Sequence, residues 1–186
     1  DVAASVKAGI LVGYSMGARM ALHVALQHPE IVTQLVLISG TPGLKTETER
    51  AARQKSDNEL ADRIETIGLS AFLDEWLALP IFSGLSNETN QRNERLRNTT
   101  QGLADSLRFA GTGSQESQWP KLHQLSMPVH LIVGELDEKF KSIAIEMKPM
   151  ISTSELTVVE NAGHTVHLED PTTTAKLLDS IILRND

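Results

Sequence analysis

Four short apolar runs stand out along this chain, at residues 10–12, 34–39, 129–133 and 156–160. Each has the length and the Val, Ile and Leu content of a strand that is buried on both faces of a sheet. Helical periodicity follows several of them, first over residues 18–27 and last from Pro171 onwards. Strands that alternate with helices form parallel sheets with right-handed crossovers, so the pattern predicts an α/β fold.

The segment 44–125 has a different character, because strand-like runs disappear and polar, helix-forming sequence replaces them. Thr46 and Glu49 form a capping-box pattern before a helix predicted over 47–67. Ser70 and Thr100 are predicted to cap two further helices, over 71–79 and 101–110. A polar helical block between buried strands cannot belong to the sheet, so we predict a helical lid (44–125) inserted into a core formed by 1–43 and 126–186.

Composition limits the classes of partner. The chain has 186 residues, 40% of them apolar, and a net charge of -7, which argues against a nucleic-acid or anionic-membrane surface. It has no cysteine, hence neither disulfides nor thiolate chemistry. No apolar run reaches the roughly twenty residues of a membrane span, and no signal peptide is evident. We therefore expect a soluble, cytoplasmic protein.

The residues after the first predicted strand read Gly13-Tyr14-Ser15-Met16-Gly17. A turn this tight forces Ser15 toward positive φ and brings strand and helix backbones close, which favours residues without a Cβ two positions before and after it. Ser15 then projects at the carboxyl end of the strand, where the amide of Met16 could stabilise a developing oxyanion. This pattern resembles the nucleophile elbow of α/β-hydrolases.

A serine hydroxyl needs a histidine to take its proton and a carboxylate to orient that histidine. Asp137 follows the third predicted strand and His164 the fourth, so both lie at the same edge of the sheet as Ser15. The order Ser, Asp, His matches that of α/β-hydrolases. The alternatives are Glu135 or Asp170 as the acid and His167 as the base.

Other side chains are candidates for substrate contacts. Arg19 lies one helical turn after Ser15 and could reach the pocket, although a solvated surface position is the alternative. Tyr14 could line the pocket or merely pack. The predicted lid adds four arginines that could clamp a carboxylate-rich substrate or simply be solvated: Arg92, Arg95, Arg97 and Arg108. Histidines and carboxylates lack metal-ligand spacing elsewhere, so we predict no metal and no cofactor.

Motifs spread along nearly the whole chain carry a more specific resemblance: VGYSMGAR, LVLISGTPGL, ERAAR, EWLALPIF, GLADSLRFAGTGSQ, GELDEKF and AGHTVHLE. The chain resembles the family of 2-succinyl-6-hydroxy-2,4-cyclohexadiene-1-carboxylate synthases (MenH) of bacterial menaquinone biosynthesis. The resemblance implies a Ser15, Asp137 and His164 triad and a substrate-binding Arg19. It also implies that Arg97 and Trp119 are substrate-binding residues of the lid.

The activity implied by the resemblance is that of a carbon–oxygen lyase that eliminates pyruvate from a tricarboxylate, 2-succinyl-5-enolpyruvyl-6-hydroxy-3-cyclohexene-1-carboxylate. Ser15 would then act within the triad as a base, without an acyl-enzyme. Two alternatives stay open. One is a hydrolase of an ester or carbon–carbon bond with Ser15 as nucleophile; the other is a binding module derived from a hydrolase.

The early position of the elbow, at residue 15, is unusual for this fold, in which several strands and an oxyanion loop precede it. We therefore expect a fragment that contains the C-terminal part of the fold, lacks a second oxyanion donor and has uncertain activity. In such a fragment the elbow strand would be a sheet edge through which the chain self-associates.

Overall fold

The structure, a computed structural model, describes residues 8–183. The sequence also predicts the tail of a helix over residues 1–9; residues 1–7 lie outside the described range, and Gly9 begins a strand instead. The chain divides into two compact units. The first comprises residues 1–42 and 118–186, and the second, inserted unit comprises residues 43–117.

The first unit contains a four-stranded parallel sheet in the order β1-β2-β3-β4. The strands are β1 (Gly9–Tyr14), β2 (Val32–Ile38), β3 (Val129–Gly134) and β4 (Ser154–Val159). All four coincide with the apolar runs of the sequence, and the predicted α/β fold with a parallel sheet is confirmed. All three pairings are parallel, so the carboxyl ends of the four strands lie at the same edge of the sheet.

Eight α-helices occur within residues 8–183. In chain order they are α1 (Met16–Gln27), α2 (Glu47–Ile67), α3 (Leu69–Leu77), α4 (Arg92–Arg95), α5 (Thr100–Ala110), α6 (Glu138–Met147), α7 (Val166–Glu169) and α8 (Pro171–Leu183). Short 3-10 helices at Pro29–Ile31, Pro80–Phe82, Trp119–Gln124 and Lys148–Met150 complete the helical structure of this part of the chain.

Two apolar clusters cover the two faces of the sheet. Alternate residues of β2 point to opposite faces: Leu35 and Leu37 join the cluster formed with α1 and α6, whereas Val36 and Ile38 join the cluster formed with α7 and α8. Central strands with both faces buried explain why their sequences read as continuous apolar runs instead of alternating patterns.

The inserted unit begins with the longest helix, α2. Its predicted capping box is present: Thr46 Oγ1 accepts a hydrogen bond from the Glu49 amide, and the Glu49 carboxylate accepts one from the Thr46 amide. Two predicted caps were wrong by one or two positions. Ser70 lies inside α3, which follows Gly68 directly, and Thr99 caps α5 in place of Thr100.

The carboxyl boundary of the inserted unit lies earlier than predicted, at 117 instead of 125. Leu122 and Leu125 belong to the sheet-covering cluster that also contains α1, because both side chains are completely or almost completely buried there. The ends of the first unit's two segments meet directly, since the Gln118 amide donates to the Pro42 carbonyl at 2.7 Å.

Within residues 8–183, β1 pairs with β2 alone and forms one edge of the sheet, with the Val12 side chain 45% exposed. Self-association through this edge stays a prediction, because an edge strand can pair with a second copy. Light scattering is expected to detect dimers of the wild-type protein at high concentration. In Val12→Lys the charge at the edge is expected to favour the monomer. The control is Ile145→Lys on α6, which changes another exposed apolar residue away from the edge. A monomer at every concentration would contradict the prediction.

Candidate active site

Ser15 lies between the last residue of β1 and the first residue of α1. Its φ of 50° and ψ of -109° confirm the strained turn that the sequence predicts. The Ser15 amide donates to the Ile38 carbonyl at 2.9 Å, and its carbonyl accepts from the Arg19 amide at 3.2 Å. The backbone around the hydroxyl is therefore held by both the neighbouring strand and the following helix.

The two glycines around Ser15 differ in what they contribute. A Cβ on Gly13 would lie 2.4 Å from the Gly17 carbonyl oxygen, so strand and helix can approach only because Gly13 has no side chain. A Cβ on Gly17 would have no described atom within 4 Å. The expectation that Gly17 is also required by close approach was wrong, because its α-carbon faces away from the strand.

His164 and Asp137 converge on Ser15. The His164 Nε2 lies 3.1 Å from Ser15 Oγ, and the His164 Nδ1 lies 2.6 Å from Asp137 Oδ2. Both His164 and Asp137 are buried, with 4% and 9% of their surface exposed. The second carboxylate oxygen of Asp137 accepts the Phe140 amide at 3.3 Å, which fixes the carboxylate at the start of α6. The arrangement is that of a hydrogen-bonded serine, histidine and aspartate triad.

The alternative residues have other partners. The Glu135 carboxylate accepts the Asn161 amide at 3.0 Å, and the Asp170 carboxylate accepts the Thr173 amide at 2.9 Å near the start of α8. The bonds to Thr173 lower the pKa of Asp170. His167 is three residues beyond His164, and its ring packs against Tyr14 with 4.4 Å between ring centroids.

Two aromatic rings flank the His164 imidazole. The Phe140 ring centroid is 4.5 Å from it, and the Tyr14 ring centroid is 5.4 Å from it. Tyr14 also packs against the apolar cluster that contains α8. These contacts restrict rotation of the imidazole, so Tyr14 supports the site whether or not it also lines a pocket.

Met16 and Arg19 lie on the first turns of α1. Met16 is the first residue of α1. The backbone amides in the first turn of a helix point toward its N-terminal end, which here is the end next to Ser15. Arg19 is 6% exposed, which excludes the solvated surface position considered for it. The Arg19 guanidinium is thus held within the fold, one helical turn after Ser15.

Two of the four candidate arginines, Arg92 and Arg108, bind side chains of the inserted unit itself. Arg108 on α5 donates to Glu65 and Asp62 on α2, and the bonds to Glu65 and then Asp62 raise the pKa of its guanidinium. Arg92 donates to Asp74 and to the Ser70 hydroxyl. Arg92 and Arg108 thus link helices of the inserted unit, and this role replaces the interpretation that they clamp a substrate.

The other two candidate arginines of this unit, Arg95 and Arg97, have local contacts as well. Arg95 donates to the Asn90 carbonyl at 2.9 Å and stacks over the Phe82 ring. Arg97 is 78% exposed and pairs with Glu94 at 2.8 Å. An exposed pair of this kind contributes little to stability, so Arg97 can exchange Glu94 for another anion at low cost.

Trp119 was expected to be a substrate-binding residue of the lid; its place in the lid is corrected, and substrate binding by Trp119 stays a prediction. It belongs to the first unit and is buried in the same apolar cluster as Leu122 and Leu125. The Pro120 that follows it starts no new strand; instead, residues 119–124 form a 3-10 helix.

One supporting residue escaped prediction. Ser39 follows β2 with a φ of 47°, is completely buried, and donates from its hydroxyl to the His164 carbonyl at 2.9 Å. The only signal in the sequence is a small polar residue at a strand end before Gly40, which is common to many turns.

Within residues 8–183, no helix has both the length and the apolar character that crossing a membrane requires. The same part of the chain contains no cluster of three or more histidine and acidic side chains arranged to hold a metal ion.

Comparison with known proteins gives a family match over residues 1–177, to the model described as "Alpha/beta hydrolase family". A Bacillus subtilis (strain 168) protein provisionally named 2-succinyl-6-hydroxy-2,4-cyclohexadiene-1-carboxylate synthase is 45% identical over 177 residues, covering 92% of this chain and 65% of that protein. An Enterobacter sp. (strain 638) protein of the same name is 34% identical, covering 92% of this chain and 66% of that protein.

The solved structure of MenH from S. aureus is also similar. It has a TM-score of 0.92 and 32% sequence identity, with 96% of this chain and 69% of that chain covered. This chain thus spans about two thirds of the length of the relatives that it matches.

Proposed function

This chain belongs to the α/β-hydrolase family, and from that premise we propose that it acts as a carbon–oxygen lyase of menaquinone biosynthesis. The reaction is elimination of pyruvate from 2-succinyl-5-enolpyruvyl-6-hydroxy-3-cyclohexene-1-carboxylate, giving 2-succinyl-6-hydroxy-2,4-cyclohexadiene-1-carboxylate. The observation that carries the proposal is the hydrogen-bonded triad of Ser15, His164 and Asp137 in a chain whose relatives bear the name of that product's synthase.

The triad geometry supports proton abstraction. With the Nδ1 proton of His164 bound to Asp137, Nε2 can accept the Ser15 proton, and the serine oxygen can then remove the proton α to the succinyl ketone. The carbanion electrons form a double bond between ring carbons 2 and 3, the existing double bond shifts from carbons 3 and 4 to carbons 4 and 5, and the bond from carbon 5 to the enolpyruvyl oxygen breaks. The departing enolpyruvate gains a proton and becomes pyruvate, so no covalent bond to Ser15 is needed.

Charge develops on the ketone oxygen when the α proton leaves. We assign the Met16 amide at the start of α1 as the donor for this enolate oxygen, since preorganised amides at a helix N-terminus stabilise such charge. Support comes from the position of Met16 directly after Ser15, which sets its amide next to the reacting atoms.

Three carboxylates on the substrate call for cationic ligands. We assign Arg19 as one of them, because its guanidinium is buried one turn after Ser15 and its geometry suits bidentate binding of a carboxylate. Arg97 is proposed as a second ligand, on the basis of its exposed and exchangeable pair with Glu94. Tyr14 is proposed as a wall of the substrate pocket next to His164.

Replacement of Arg19 by alanine is expected to lower kcat/KM for the tricarboxylate by about tenfold to a thousandfold, because a charge-assisted pair to a substrate carboxylate is lost. Steady-state pyruvate release measures the effect. Arg108→Ala is the matched control, since that guanidinium is bound by Asp62 and Glu65. An unchanged kcat/KM in Arg19→Ala would remove Arg19 from the substrate site.

Hydrolysis of an ester or carbon–carbon bond is the second candidate, favoured by the 3.1 Å separation of Ser15 Oγ and His164 Nε2, which also suits a serine nucleophile. The deciding experiment incubates the purified protein with the tricarboxylate and, separately, with an activated ester. S. aureus MenH serves as the reference for substrate quality. Pyruvate release without an acyl adduct on Ser15 supports the lyase. An acyl adduct that turns over, with no pyruvate, supports the hydrolase and overturns the proposal.

A further inference from the structure

The carboxylate of Glu169, at the end of α7, contacts the backbone on both sides of His164. Its Oε2 accepts the Gly163 amide at 2.7 Å. Its Oε1 accepts the Thr165 amide at 2.9 Å and the Thr165 hydroxyl at 2.6 Å. One side chain therefore binds three donors that straddle the α-carbon carrying the imidazole.

We infer that Glu169 is a positioning residue, whose carboxylate fixes the peptide groups around His164 and thereby aims the imidazole at Ser15. A carboxylate suits this task because both of its oxygens are acceptors, and bonds from amides to an ionised group are stronger than neutral ones. The inference rests on the proposed function only in that His164 has to act as a base toward Ser15.

Gly163 provides independent geometric support. A Cβ at this position would lie 3.0 Å from Glu169 Oε2 and 3.1 Å from Oε1, so the carboxylate packs directly over the glycine α-carbon. Any side chain at 163 would push the carboxylate away from the two amides. The Glu169 carboxylate can therefore occupy its position because residue 163 has no side chain.

The remaining contacts of His164 depend on the same backbone. Its carbonyl is held by the Ser39 hydroxyl, and its ring by Asp137, Tyr14 and Phe140. None of these contacts involves the Gly163 or Thr165 amides, whereas both amides donate to the Glu169 carboxylate, one on each side of His164. Small rotations of this backbone displace Nε2, which must stay within hydrogen-bond distance of Ser15 Oγ.

The test measures the reactivity of Ser15 with diisopropyl fluorophosphate, which requires an aligned histidine but not the tricarboxylate. Glu169→Gln replaces one acceptor oxygen by an NH2 group that faces an amide donor, and Thr165→Val removes only the hydroxyl donor. Mass spectrometry follows labelling, differential scanning calorimetry follows Tm, and proton NMR follows the far-downfield signal of the His164–Asp137 hydrogen bond. The matched control is Glu160→Gln, an exposed glutamate before the same loop.

Glu169→Gln is expected to slow labelling by about tenfold to a hundredfold and to shift or broaden the NMR signal, whereas the control leaves both unchanged. A wild-type labelling rate with an unchanged NMR signal would overturn the inference. If Glu169→Gln does not fold, Thr165→Val decides: slower labelling supports the inference, and a wild-type rate overturns it. Failure of the wild-type protein to release pyruvate would instead contradict the lyase proposal, while the labelling comparison would still judge Glu169.

Discussion

Ser15→Ala, His164→Ala and the double variant are each expected to lower kcat for pyruvate release by about 10³- to 10⁶-fold. The three losses should be nearly equal, because residues that move one proton as a unit do not contribute additively. The 3.1 Å and 2.6 Å contacts of His164 are the physical basis of this expectation. Steady-state and single-turnover pyruvate release would measure kcat and the chemical step.

KM should change little in these variants, since the substituted groups act on the reacting proton and not on the substrate carboxylates. Ser142→Ala on the exposed side of α6 is the matched control, with kcat expected to equal that of the wild type. Additive losses, in which the double variant is slower by the product of the single effects, would indicate that Ser15 and His164 act independently.

Gly13→Ala and Gly17→Ala are expected to change stability in opposite directions. The Cβ in Gly13→Ala would overlap the Gly17 carbonyl oxygen at 2.4 Å, and backbone atoms on both sides cannot move aside easily. We expect a loss of about 3 kcal/mol and a fall in Tm of roughly 6–12 °C. Gly17→Ala adds a methyl group with no described neighbour within 4 Å and should stabilise α1 by up to about 1 kcal/mol.

Differential scanning calorimetry of the two variants provides the comparison, and each serves as the control of the other because the chemical change is identical. A similar Tm for both would show that the approach of β1 to α1 does not depend on Gly13. The motif has glycine at both positions, but the expected difference in Tm would show that close packing requires only Gly13.

The sheet and the triad could be predicted from sequence because local signals report them. Continuous apolar runs reveal all four strands, although only the central β2 and β3 are buried on both faces, and Ser15, Asp137 and His164 each follow such a run at its carboxyl end. The Thr46 and Glu49 capping box is equally local, spanning four residues. In these cases the information needed lies within a few positions of the residue concerned.

The roles of charged side chains could not be predicted in the same way. Arg108 binds acids on α2 that lie more than forty positions away, and its sequence neighbours give no sign of them. Trp119 was expected in the lid, but its side chain packs in the core of the first unit. The Ser39 hydroxyl meets the His164 carbonyl only in the folded chain. Such pairings depend on tertiary packing, which periodicity and capping patterns do not encode.

The hydrogen bond between Gln118 and Pro42 makes the inserted unit modular. The points at which the chain leaves and rejoins the sheet-containing unit are adjacent, so a short linker could replace everything between them without stretching β2 or β3. Evolution can therefore exchange insertions at this junction while Ser15, Asp137 and His164 keep their spacing. Chimeras in which another protein's insertion replaces the inserted unit at this junction are a route to new substrate ranges with an unchanged triad.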